Sequence, residues 1–219
     1  MIHDYVVSLL VFAAASVVFA MTPGLDTVMV LRTSTSEGHK AGMGAVLGVG
    51  LGLAVWGIAA AFGLAALIAA SQTAFAILKY AGALYLGWLG FQSLLFPRKS
   101  LEKTEGKEVE QETGGRDVFL AGLRRGFLSN LLNPKAGVIV LTLYPQFIPH
   151  HVDVALFTLC MTAIQVIVAS LWLVLLVFLT IPLGRFLKRP KIVQWSDRIA
   201  GLIFIGFGLK LITSHNRTA

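Results

Sequence analysis

Six apolar runs, residues 5–31, 43–70, 74–96, 119–148, 154–183 and 199–212, make up most of the chain. A hydrocarbon core about 30 Å thick needs roughly 20 apolar residues in a helix, and every run but the last reaches that length. A membrane barrel would instead show strands of about ten residues with alternating polarity. No such alternation occurs. With 56% of residues hydrophobic and 13% charged, the chain reads as an integral membrane protein. The expected fold is all-α, with six transmembrane helices. The first run follows Met1, Ile2, His3 and Asp4 with no Lys or Arg before it, so it reads as a mature span and not a secretory signal.

The net charge of +7 invites a nucleic-acid reading that its placement refuses. With six spans the connections alternate between two sides of the bilayer. Of the 18 basic residues only Lys79, Lys135, Lys210 and Arg217 fall on one side, while those within 32–40, 98–125 and 185–198 fall on the other. The positive-inside rule then puts both termini outside and three basic loops in the cytoplasm. Arg124 and Arg125 require residues 119–128 to reach the cytoplasmic surface as a basic amphipathic stretch. The lone Cys160 rules out an internal disulfide and reads as a small buried apolar residue.

Residues 97–117 are polar, mixed in charge and glycine-ended, the composition of a solvated tether. They divide the chain into a first three-helix half, 1–96, a cytoplasmic linker, 97–117, and a second three-helix half, 118–219. Three spans per half means that related halves would sit upside down to each other. YAGALYLGWLG, residues 80–90, aligns without gaps on IAGLIFIGFGL, residues 199–209, matching Gly82 to Gly201 and Gly87 to Gly206. The first span carries MTPG and the fourth LNPK, so Thr22-Pro23 and Asn133-Pro134 correspond. An inverted 3+3 repeat with broken first and fourth helices is the expectation.

Thr and Asn are favoured N-caps, and Pro suits the first helical position because its missing N–H would be unbonded there. Thr22-Pro23-Gly24 and Asn133-Pro134 therefore read as points where one helix stops and another starts. A plain proline kink is the competing reading. A restart leaves unpaired N–H groups and the positive end of a helix dipole inside the membrane. Lipid does not tolerate these, whereas protein or a water-filled cavity does. Two such ends favour an anion, and a substrate carboxylate is the obvious one.

Asp26 is the acidic residue inside a span, and Lys135, just after the second break, is the matching cation. A charged Asp at a helix centre costs about 2.5–3.5 kcal/mol on insertion scales, so it should face a partner or water. Three roles stay open: a structural ion pair with Lys135, stabilisation of the half-helix by Asp26, or binding of substrate and proton. In the last, Lys135 and backbone N–H groups hold a carboxylate while Asp26 takes an amino group or a coupling proton. Asn130, Asn133 and Gln165 either line the pathway or bond neighbouring helices. Gly44, Gly48 and Gly52 recur on one face of the second span and read as helix packing, with a moving interface second. His150 and His151 read as an exposed loop pair.

TPGLDTVMVLRTSTSEGHKAGMGAVLGVGLG, LKYAGALYLGWLG and FLSNLLNPKAGVIVLTLYPQFI together resemble the LysE/RhtB family of bacterial amino-acid exporters over essentially the whole chain. The resemblance implies a dimeric six-span inner-membrane protein exporting amino acids or derivatives such as homoserine lactones, driven by protons. It places Pro23, Gly24 and Asp26 in a first motif and Asn133, Pro134 and Lys135 in a second. Two departures stand out. Leu25 replaces a second proline, and the second span reads GLAVW where many members carry Asp and His, which shifts proton coupling onto Asp26. No Walker sequence is present, so ATP drive is not indicated, and neither an enzyme nor a cofactor is expected. Other readings are a non-transporting scaffold or a metal-ion exporter, though one Asp with one Lys is a poor cation cage. A thiol carrier would need cysteines beside the broken helices, and none is there.

Overall fold

In a computed structural model, residues 2–22, 24–96, 115–149 and 152–179 are described, together with ten separate residues between 191 and 209. They form helices α1 (Ile2–Met21), α2 (Leu25–Glu37), α3 (His39–Ala70), α4 (Gln72–Leu95), α5 (Gly115–Leu131), α6 (Pro134–Leu143) and α7 (Val154–Phe178), plus a 3₁₀ turn at Tyr144–Phe147. No strand occurs among the described residues. Most of the linker, the His150-His151 pair and most of the sixth run lie outside them, and with them a test of the repeat alignment.

α3 and α7 each hold a segment long and apolar enough to cross a bilayer, and α1 with α2 makes a third as a pair bent by 54°. The apolar side chains point the way lipid requires. On α3, Leu47, Leu51, Val55, Ile58 and Phe62 face outward, while Ala41, Ala45, Gly44, Gly48 and Gly52 are buried. Lipid tails are as apolar as leucine, so helices associate here by close backbone approach, and small residues permit it. Cys160, expected inside, is exposed on α7. Its apolar preference is met on an outward face instead.

α3 is the centre of the bundle and packs on α5, α7 and α2. Against α5 the fit is backbone to backbone. A Cβ on Gly44 or Gly48 would overlap the carbonyls of Phe119 and Leu123, and one on Gly122 or Gly126 would overlap those of Ala41 and Ala45. Residues 44, 48 and 52 meet 119, 123 and 130 in the same order, so α3 and α5 run parallel. α4 lies between them in the chain. α2 turns into α3 through the single residue Gly38, whose φ of 89° lies where only glycine is at ease.

Two apolar clusters close the bundle at its ends. Phe12 of α1 stacks edge-on against Tyr144 and Phe147 at centroid distances of 5.0 and 5.3 Å, joined by Phe157 and Met161. At the other end Val30, Leu31, Val46, Val49, Leu173 and Leu176 interlock α2, α3 and α7. Beyond them Arg125 of α5 pairs with Glu37, the last residue of α2. Arg125 therefore lies beside the end of α2, and α5 packs along α3.

Candidate functional site

Both breaks are present, and they differ in construction. At the second, Asn133 precedes Pro134 at the first position of α6, and its carbonyl accepts from the N–H groups of Ala136 and Gly137 at 3.0 and 3.4 Å. These backbone bonds start α6 with Asn133 in the N-cap position and Pro134 at the first helical one. At the first, the Thr22 hydroxyl donates back to the Val18 carbonyl at 2.8 Å. Gly24, extended at φ −125°, takes the N-cap of α2 without a side-chain bond. Thr22 therefore closes α1 instead of opening α2, because its hydroxyl reaches a carbonyl one turn back. Pro23 and the side chains of Pro134 and Lys135 lie outside the described residues.

The two breaks line one cavity of about 110 Å³. Thr22, Gly24 and Asp26 come from the first break, Asn133 and Ala136 from the second, and Gln165 from α7. Val49, Leu53, Ile139, Val140, Ala169 and Leu173 supply apolar wall. The volume is smaller than the roughly 150 Å³ cavity that accepts a benzene, so the space suits a few waters or a small solute. Asn130 is absent from the lining but holds the carboxylate, donating from Nδ2 to Asp26 Oδ2 at 2.9 Å. Ser129 Oγ reaches Asp26 Oδ1 at only 3.5 Å.

Asp26 lies in the first turn of α2, where the helix dipole favours a negative charge. Asn130 is wholly buried and Asn133 nearly so. Trp56 fixes this corner: its indole N–H donates to the Asn130 carbonyl at 3.3 Å, and its ring covers Gly137 so closely that a Cβ there would lie 2.5 Å away. Sequence reasoning does not single out Tyr144 or Trp172, which also line the cavity. Their signal is an aromatic with a polar handle inside an apolar span. Tyr144 is hydrogen-bonded to Thr162, and Trp172 Nε1 is buried without a partner among the described residues. Among the described residues no three His, Cys, Asp or Glu side chains gather as metal ligands do.

The chain matches the family model for the LysE type translocator over residues 17–215. It is 32% identical to the threonine efflux protein of Escherichia coli K12, covering 94% of this chain and 98% of that one. It is also 32% identical to the leucine efflux protein of Enterobacter sp. 638, over 89% and 90%. An uncharacterised membrane protein of Bacillus subtilis, YrhP, is 31% identical over 93% and 97%. No solved structure matches.

Proposed function

This chain belongs to the LysE type translocator family, transporters and not enzymes, and from that premise we propose that it exports small amino acids or close derivatives from the cytoplasm by proton antiport. The observation that carries the proposal is the shared cavity: two interrupted helices contribute Thr22, Gly24, Asp26 and Asn133 to one space that holds a carboxylate. An amino acid offers the complementary pair of charges. Its ammonium suits Asp26, and its carboxylate suits the N-terminal end of α6 together with Lys135. The threonine and leucine of the named relatives are the first solutes to try; each is larger than benzene, so the cavity of about 110 Å³ would have to widen to take either.

Position supports the direction of transport. α1 has 20 residues and so spans about 30 Å before the first break. α2 beyond it soon turns polar with Arg32, Thr33, Ser34, Thr35 and Ser36. The cavity thus lies nearer the basic side, which the positive-inside rule assigns to the cytoplasm of a bacterial inner membrane, with both termini periplasmic. Rocking of the half at 1–96 against that at 118–219 would expose the site to each side in turn. The test is counterflow in proteoliposomes with threonine, leucine, homoserine lactone and related solutes. Saturable exchange of at least one, accelerated by a proton gradient, is expected. Absence of exchange for all of them with correctly inserted protein would reject the reading.

A further inference from the structure

Buried polar atoms are nearly always paired, because an orphan keeps the cost of losing water without a replacement bond. One orphan sits beside the carboxylate. Asn130 is wholly buried, and while its Nδ2 serves Asp26, its Oδ1 has no hydrogen-bond partner among the described residues. The amide is held in place. Trp56 fixes the backbone carbonyl, and Gly52 of α3 makes room for the side chain: a Cβ at 52 would lie 2.7 Å from Oδ1 and 2.8 Å from the Asn130 Cβ. Turning the amide over would set an acceptor against an acceptor at Asp26, so it gives no relief.

What Oδ1 lacks is a donor. An ionised carboxylate only accepts, whereas a protonated one carries an O–H. We propose that Asn130 is the proton-responsive partner of Asp26, closing a two-bond ring with it when the carboxyl takes up a proton. In the ring the Asp26 O–H donates to Asn130 Oδ1, and Nδ2–H of Asn130 donates to the other Asp26 oxygen. The 3.5 Å contact from Ser129 is too long to resist a turn of the carboxyl. The proton comes from water in the cavity that Asp26 lines.

The consequence is a choice between two cargoes, and this part rests on the proposed function above. Ionised, Asp26 gives one oxygen to Asn130 and keeps acceptor capacity for a substrate ammonium. Protonated, it spends both oxygens on Asn130 and carries no charge to offer. Proton and amino group then compete for one carboxylate, which is the requirement for exchange of one against the other. α5 brings Ser129 and, further along, Arg125, which is paired to Glu37. α6 carries Lys135 in its first turn, α2 itself carries Arg32, and the 3₁₀ turn brings Tyr144. α7 and α3 bring the uncharged Gln165, Trp172, Val49 and Leu53, and the end of α1 brings Thr22.

Infrared difference spectra of the protein in lipid, recorded on acidification with ¹³C-labelled asparagine, read the ring directly. Expected are a new carboxylic-acid carbonyl band and a fall in frequency of one asparagine side-chain carbonyl, both lost together in Asp26→Asn. In Asn130→Leu the acid band should persist at a higher frequency, as for an acid without a partner, and in Asn130→Ser it should fall between. An unchanged asparagine carbonyl in the unmutated protein, or the same acid band in Asn130→Leu as in the parent, would overturn the proposal. The readout is independent of transport. Ring signals without proton-driven exchange would remove the antiport reading alone, and proton-driven exchange that needs Asp26 without ring signals would remove the ring alone.

Discussion

Asp26 is the residue on which charge, position and cavity converge. Replacing it with Asn keeps the shape and most hydrogen-bonding capacity while removing the charge, so Asp26→Asn is expected to insert normally and lose proton-driven export. Undiminished flux driven by a pH gradient in proteoliposomes would deny Asp26 that role. Lys135→Ala is expected to weaken substrate affinity about tenfold or more, the scale of one charged hydrogen bond, with insertion intact. Unchanged affinity with lost expression would favour a structural pair. Much at this scale was legible: a carboxylate inside an apolar run is expensive, so Asp26 and the polar residues near Pro134 stand out by cost alone. Trp172 and Tyr144 did not, because an aromatic in a span looks the same whether it faces lipid, core or cavity. Nor did the direction of the Thr22 hydroxyl, since a threonine before a break can serve the helix behind it as well as the one ahead.

The helices show why glycine spacing carried half of a message. Gly44, Gly48 and Gly52 announced a close contact, and the partner proved to be α5 through Gly122 and Gly126, two glycines that flank Arg124 and Arg125, whose charge points that segment toward the surface. A parallel contact between the two halves is a feature of topology, and local spacing does not encode it. Filling it should be costly. Gly48→Leu or Gly126→Leu is expected to lower thermal stability in detergent by the equivalent of at least 1–3 kcal/mol, the usual cost of overpacking. Gly63→Ala, with nothing within 4 Å of its Cβ position, should leave it unchanged. Equal melting of all three would contradict the packing described here. Gly38→Ala also meets no neighbour, so its loss of roughly 1 kcal/mol or more would come from the positive φ alone.

Across the whole molecule, the run lengths gave the helical membrane class, because a bilayer imposes it, and the Thr22-Pro23 and Asn133-Pro134 pairs marked the broken helices. The route by which the breaks reach each other was not written in the runs. It follows from α3 and α5 lying parallel, which carries the second break back to the level of the first. α3 packs on α5 and α7, and α7 packs in turn on α1 and α3. The central claim is that the two breaks form one solute site. Thiol labelling of Thr22→Cys and Asn133→Cys, each in a Cys160→Ser background, tests it most directly. Both positions should react with a small water-soluble reagent, and the exchange substrate identified by counterflow should protect both over the same concentration range. Protection of one without the other, or failure of either to react in any state, would contradict a shared chamber.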